Sequence, residues 1–298
     1  VKIEDFLKSG AGAPLPALGV PAPESSDGWV LPVEHLSVSA MNKFLMCERV
    51  YQRHYILGEK APANHKMVAG SAVHGAIAWA ALHPDMNADE AAGYLREFEW
   101  PNQVEDNGGV AEIEWHDKNP EELAAKAAQM VSVYVAEVVP RLEVDEVEKR
   151  FELDLPGVPV PIIGFIDYTQ KGTRPAIDIK TRYGSTRPSS ASKTVLPGWL
   201  LQGRIYQLSE RKDVDWHQIT DQATPQAVTS LQYPDLLQHY SEIQCERTVE
   251  IVERIAWRIN ETYAALGPDE DWAWTGTWHT YACNGCHWRG SCPGWEGS

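Results

Sequence analysis

The chain has 298 residues, with 26 Lys and Arg against 42 Asp and Glu and a formal net charge of −16. This length buries a substantial core without disulfides, and a 43% hydrophobic fraction with 12 Trp excludes an intrinsically disordered chain. No apolar run approaches the roughly 18 residues of a membrane helix, and the opening VKIEDFLKSG lacks the basic-then-apolar layout of a secretory signal. The expectation is a soluble protein of the reducing cytoplasm with no membrane partner.

Residues 1–35 are rich in Pro, Ala and Gly and read as a flexible arm. Order is expected from Leu36. Ser37 or Ser39 caps a helix whose Met41, Phe44, Leu45, Tyr51 and Tyr55 recur at helical spacing, and Gly58 stops it. A second helix is predicted over 68–82, ended by His83-Pro84, then a short helix over 88–98 and a longer one over 120–139. Strands follow at 147–155, 160–169 and 176–181, with tight turns at Pro156-Gly157 and Lys171-Gly172 that favour an antiparallel meander. A helix over 196–210, strands at 216–220 and 226–232, and a long helix through Cys245, Val252, Ile259 and Tyr263 complete the order. The fold class is α/β (α+β), a central mixed β-sheet flanked by helices.

Charge is unevenly placed. Twelve acidic and two basic residues between Asp85 and Glu122 give −10, marking an acidic helical segment at about 85–140. From Lys171 to Lys193 the sign reverses, with six basic residues against Asp178 alone. Such a strip can bind a polyanion although the chain as a whole is acidic. Of five cysteines, Cys283, Cys286 and Cys292 fall in CNGCHWRGSC within the segment 281–294. A C-x2-C-x5-C run with flexible glycines reads as a ligand cluster rather than a disulfide scaffold. Cys245, on the apolar side of its helix, reads as an inert buried thiol. Trp272, Trp274, Trp278, Trp288 and Trp295 are expected to pack around the cysteine-rich tail.

The segment GFIDYTQKGTRPAIDIK carries the chemistry. Asp178 and Lys180 are two apart on a predicted strand and share a face. Asp167 ends the strand before it and can come alongside. Two close carboxylates raise each other's pKa unless a cation lies between them, and oxygen donors suit Mg²⁺ or Mn²⁺. A lysine beside them can orient water or stabilise a phosphate.

This strand–turn–strand pattern resembles the PD-(D/E)xK nuclease superfamily in its RecB-like branch. LSVSAMNKFLMCERVYQRHYILG looks like that branch's opening helix, GSAVHGAIAW like its G-x3-H helix at Gly70 and His74, and LQGRIYQL supplies a Q-x3-Y match at Gln202 and Tyr206. The cysteine tail together with Cys47 resembles the iron–sulfur subgroup, which includes the CRISPR-associated exonucleases and the AddB nuclease domain. The motifs run in the family's order from Leu36 to Gly294.

The resemblance implies a restriction-endonuclease-like core, a single nuclease domain over 36–298, and a 4Fe-4S cluster on Cys47, Cys283, Cys286 and Cys292 stapling the N- and C-terminal parts. Four thiolates also suit zinc. It implies metal binding by His74, Asp167, Asp178 and the Ile179 carbonyl, with Mn²⁺ or Mg²⁺ as the ion. It makes Asp167, Asp178 and Lys180 catalytic and sets Gln202 and Tyr206 beside the scissile phosphate or the lysine. Glu152 is a further acidic neighbour from the preceding strand. Arg182, Arg187 and Lys193 are placed to bind DNA phosphates. The expected activity is metal-dependent hydrolysis of DNA, as an exonuclease on single strands or ends. A helicase, recombination or CRISPR-adaptation protein is the expected partner. A catalytically silent DNA- or partner-binding protein and a zinc-stapled interaction module are the alternatives.

Overall fold

A computed structural model describes residues 28–183, 193–222, 224–272, 283 and 286–292. Arg187, Trp274, Trp278, Trp295 and most of the 1–35 arm lie outside the described residues. The helices in chain order are α1 (Val38–Met46), α2 (Glu48–Tyr51), α3 (His65–Leu82), α4 (Ala88–Tyr94), α5 (Trp100–Asp106), α6 (Pro120–Glu137), α7 (Leu200–Glu210) and α8 (Glu242–Leu266). The strands are β1 (Val144–Leu153), β2 (Ile162–Gln170), β3 (Ala176–Arg182), β4 (Val214–Thr220), β5 (Gln226–Val228) and β6 (Leu237–Gln238). No helix among the described residues is long and apolar enough to cross a membrane.

The chain divides into two compact units, one of residues 1–61, 151–164 and 241–298 and one of residues 62–150 and 165–240. In the first, Ser37 caps α1 by accepting from the Ala40 amide. The expected single helix breaks at Cys47, which is extended at φ −166°, and resumes as α2 and a π turn over Gln52–Ile56. The Gln52 side chain then ties the chain beyond α8, donating to the Pro268 and Glu270 carbonyls at 2.9 and 2.7 Å and accepting from the Trp272 amide at 3.1 Å. Trp272 is fully buried and stacks on Tyr51 at 5.9 Å. Helix α8 opens with a capping box of Ser241 and Gln244 and buries Cys245, Val252, Ile255, Ala256 and Ile259.

The second unit holds most of the mixed sheet, with residues 151–153 of β1 and 162–164 of β2 assigned to the first. Strand order is β1-β2-β3-β4-β5, with β6 also paired to β4. β2 and β3 are antiparallel with Tyr168 opposite Ile177, whereas β3 and β4 are parallel with Asp178 opposite Trp216 and Lys180 opposite Gln218. The crossover between them contains α7, as a parallel pair requires. Tyr168, Ile177, Ile179 and Ile219 join one core with Val68, Ala72, Val73, Ala76 and Ile77 of α3 and Ala127, Met130, Val131 and Tyr134 of α6. Every residue of β4 is buried although Asp215, His217, Gln218 and Thr220 are polar, so this strand carries hydrogen-bonded groups into the interior.

Several boundaries differ from the sequence expectation. Helix α3 begins at His65, because Asn64 caps it through the Lys66 and Met67 amides. Helix α4 does not end at Phe98 but runs through a π turn over Leu95–Glu99 into α5. Helix α7 starts at Leu200 after a 3-10 turn over Pro197–Trp199. Strand β5 ends at Val228 because the Gln232 side chain accepts from the Thr229 amide at 3.0 Å and turns the chain. The two-residue β6 carries too little pattern to be read.

Candidate active site

Two close approaches deliver side chains to one place in the second unit. Gly70 lies where a Cβ would meet Thr181 Oγ1 of β3 at 3.1 Å, so its missing side chain lets α3 come in against the sheet. His74, one turn further on, reaches Asp167 of β2, with Nδ1 3.6 Å from Oδ1. Gly203 plays the same part in α7, since a Cβ there would lie 2.5 Å from the Tyr240 hydroxyl and 2.9 Å from Trp216. That contact seats Gln202 and Tyr206 beside β3.

The hydrogen bonds form a chain around Asp178. Lys180 Nζ lies 2.5 Å from Asp178 Oδ1 and donates to Gln202 Oε1 at 3.1 Å. Gln202 Nε2 donates to the Tyr206 hydroxyl at 2.7 Å. That hydroxyl shares its hydrogen between the Phe165 carbonyl at 2.6 Å and Asp178 Oδ2 at 3.2 Å. Asp167 Oδ2 accepts from the Ile179 amide at 2.6 Å, leaving Oδ1 towards His74.

The electrostatics show unanswered negative charge. Burial pushes the Asp178 carboxyl up to about 6, with Asp167 adding to the rise and Lys180 opposing it. Burial also raises Asp167, but the neighbouring His74, Lys180 and Ile179 amide outweigh it and leave this carboxyl below its ordinary value. Burial depresses the His74 imidazole, yet the Asp167 carboxylate wins and raises it. Glu148 of β1 is exposed, yet partial desolvation and the neighbouring Asp167 raise it, with His74 opposing. Burial and Asp178 hold the Tyr206 hydroxyl well above its usual range, so it acts as a neutral donor.

Glu148 was missed by sequence reasoning. His74, Glu148 and Asp167 offer ligand atoms all within 4.8 Å of one another, the one such group among the described residues. Glu148 has φ 49° inside a strand, a break in the pleat of the kind that re-aims a side chain. Its signal in the sequence was weak, one of several acids in VDEVEKRFELD. Glu152, expected as the acidic neighbour, belongs to the other unit. Asp178 stands outside the 4.8 Å group, held by Lys180 and Tyr206. Of the expected phosphate-binding residues, Arg182 donates to Gln218 at 3.3 Å, and Lys193 is exposed with Nζ 5.3 Å from the Tyr233 ring.

The profile of the PD-(D/E)XK nuclease superfamily matches residues 35–293. The chain belongs to the PD-(D/E)XK nuclease superfamily. The mixed sheet flanked by helices agrees with a restriction-endonuclease-like member of that superfamily. The crystal structure of a protein from Eubacterium rectale, provisionally named an exonuclease, superposes with a TM-score of 0.51 at 15% identity, covering 76% of this chain and 80% of its own. At that identity the likeness speaks for the fold. The crystal structure of SSO0001 covers 86% of this chain and 95% of its own at 13% identity, with a TM-score of 0.34, below what a shared fold requires. No curated protein matches the sequence.

In the first unit, the thiol of Cys286 is raised by burial and further by Cys47, Cys283 and Cys292. Among the described residues, no three of these four sulfurs lie within 4.8 Å of one another. All four are free cysteines.

Proposed function

We propose that this superfamily member is a divalent-metal-dependent deoxyribonuclease, an exonuclease acting on single-stranded DNA or DNA ends by phosphodiester hydrolysis. One observation carries the reading: Glu148 and Asp167 close on His74 while Asp178 pairs with Lys180 beside them, with two of the three carboxyls raised. Such a set is stabilised by a cation. The donors, two carboxylates and an imidazole, fit Mn²⁺ or Mg²⁺. His74, Asp167 and Glu148 are the proposed ligands, with Asp178 and the Ile179 carbonyl completing the set. A metal bound there supplies Lewis acidity at the phosphoryl oxygen and activation of the attacking water.

The protein's own groups do the rest. Lys180 neutralises charge that builds on the phosphate as water forms the new P–O bond and the 3′ oxygen departs. Gln202 and Tyr206 are positioning residues that hold Lys180 and Asp178 in register. Arg182, Arg187 and Lys193 bind flanking phosphates, and with a net charge of −16 the attraction is confined to this strip and falls steeply with salt. A helicase, recombination or CRISPR-adaptation partner that presents the strand fits the same charge argument. The working module is residues 36–298, with 1–35 as an arm and the acidic helices as an insertion.

Cys47, Cys283, Cys286 and Cys292 are proposed to hold a 4Fe-4S cluster with a structural role. The action of Cys47, Cys283 and Cys292 on the Cys286 thiol supports their gathering in one region, and their free state suits a reducing cytoplasm. Iron and sulfide in an anaerobic preparation are expected; zinc without iron overturns the cluster.

The test of the activity is incubation with Mn²⁺ and end-labelled linear or circular single strands. Cleavage of linear DNA alone is expected. Cutting of the circle overturns the exonuclease assignment. No metal-dependent cleavage, or cleavage unchanged in Asp178→Ala and Lys180→Ala, overturns the nuclease reading.

A further inference from the structure

Phe165 is 53% exposed, although it stands two residues before Asp167 on β2. Ile166 and Tyr168 are buried, so strand alternation sends Phe165 to the side of Asp167 and away from the core. Its backbone is fixed: the Phe165 carbonyl accepts from the Tyr206 hydroxyl at 2.6 Å, the same hydroxyl that reaches Asp178. A second aromatic lies at Lys180, the lysine paired with Asp178. The Trp199 ring lies 5.9 Å from Lys180 Nζ and stacks at 5.3 Å on Trp216, which is fully buried. Trp199 is itself only partly covered. One aromatic on a fixed strand therefore shares the side of Asp167, and a second lies at Lys180.

Phe165 is exposed here beside the carboxylates Asp167 and Asp178. Nucleobases are the aromatic partners that a phosphodiester brings to such a position, one on each side of the phosphate. Stacking on an aromatic side chain tolerates any base, because every base has a π face.

Resting on the nuclease reading above, we propose that Phe165, with Trp199 as a second platform, stacks an unpaired nucleobase next to the scissile phosphate and thereby selects single-stranded or frayed DNA. A base seated on Phe165 has left its own helical stack, so a paired duplex enters only by fraying.

The experiment compares wild type, Phe165→Ala, Phe165→Leu and Phe165→Tyr with Mn²⁺ on a labelled single strand, on its duplex and on a strand carrying abasic residues around the cleavage position. Phe165 is exposed, so these variants are expected to fold, which circular dichroism checks. Phe165→Ala and Phe165→Leu are expected to raise KM for the intact single strand about tenfold, with kcat within about twofold of wild type and Phe165→Tyr near wild type. On the abasic strand all four should be equal, and the preference for single strand over duplex should shrink in the alanine variant. Equal KM values on the intact strand, or rescue by leucine, overturn the stacking role while leaving the nuclease reading intact. If the wild type cuts no DNA, that reading fails instead. The same strands measured by fluorescence anisotropy in Ca²⁺ then decide the stacking role, with equal binding by all four proteins overturning it.

Discussion

The second unit carries two clusters of charged and polar side chains, one built on β3 and one on β4. Asp178 and Lys180 rise on the side of Trp216, over which Lys180 Nζ sits at 5.4 Å. Asp215 and His217 alternate to the other side, where the Tyr134 hydroxyl meets His217 Nδ1 at 2.6 Å and His217 Nε2 lies 3.3 Å from Asp215 Oδ2. Ser230 donates to the same carboxylate oxygen at 2.5 Å. Both aspartates are buried, yet they are pushed in opposite directions. Burial raises Asp215, but the bonds from His217 and Ser230 outweigh it and bring this carboxyl below its ordinary value. Asp178 goes up to about 6. Asp215 is answered on the spot by His217 and Ser230, whereas Asp178 has one lysine that also acts on Asp167. The same residue types thus make a closed structural network on one side and an electrostatically open site on the other.

The sharpest way to break this contrast is substitution at each cluster. Asp178→Asn and Lys180→Ala should each lower cleavage by about a thousandfold or more per folded molecule, with the fold checked by circular dichroism. Asp215→Asn should leave the rate per folded molecule near wild type. A large loss of specific activity in folded Asp215→Asn would show that the two clusters are not separate.

Glu148 tests where the open site ends. Glu148→Gln should weaken Mn²⁺ binding, measured by calorimetry, by about ten- to a hundredfold, whereas Glu152→Gln should leave it unchanged. Equal affinities would remove Glu148 from the ligand set.

Acidity separates the clusters further. Asp178 must lose its proton to take a cation, so Mn²⁺ affinity should rise with pH up to about 6, by up to about tenfold per unit, and flatten above. The raised His74 competes in the same direction. In the metal-free protein the sign for stability is reversed. Between the ordinary aspartate range and about 6 the folded chain holds a proton that the unfolded chain has lost, so stability falls as pH rises through that window. Asp215, held low, contributes stability above the ordinary range that is lost on acidification. Urea titrations of Asp178→Asn and Asp215→Asn should each remove one of these opposed slopes.

The smallest effect is expected at Tyr134. Tyr134→Phe removes one buried hydrogen bond and should cost about 1–2 kcal/mol by denaturant unfolding. Mn²⁺ affinity should be unaltered. A change in affinity would couple the closed network to the site.

Most of the chemistry was readable because it is local. Asp178 and Lys180 are fixed on one side of a strand by a spacing of two, and Gln202 and Tyr206 on one side of a helix by a spacing of four. Gly70 and His74 were legible as a pair, although the reason for the glycine, the approach of Thr181, was not. Glu148 was illegible for a physical reason. Choosing among Glu143, Glu146, Glu148 and Glu152 depends on a positive φ that no residue type in the run announces. Phe165 read only as an apolar strand residue, since alternation alone does not say which side is core.

Sequence by itself determined the order of helices and strands, the superfamily pattern, and the residue types able to bind a cation and a phosphate, because these follow from periodicity and short spacings. Tertiary structure alone decided which acid joins His74, which aspartate is left with excess charge, and which aromatic stands in solvent beside the lysine. Those outcomes depend on distances between segments far apart in the chain, set by the packing of α3 and α7 against the sheet.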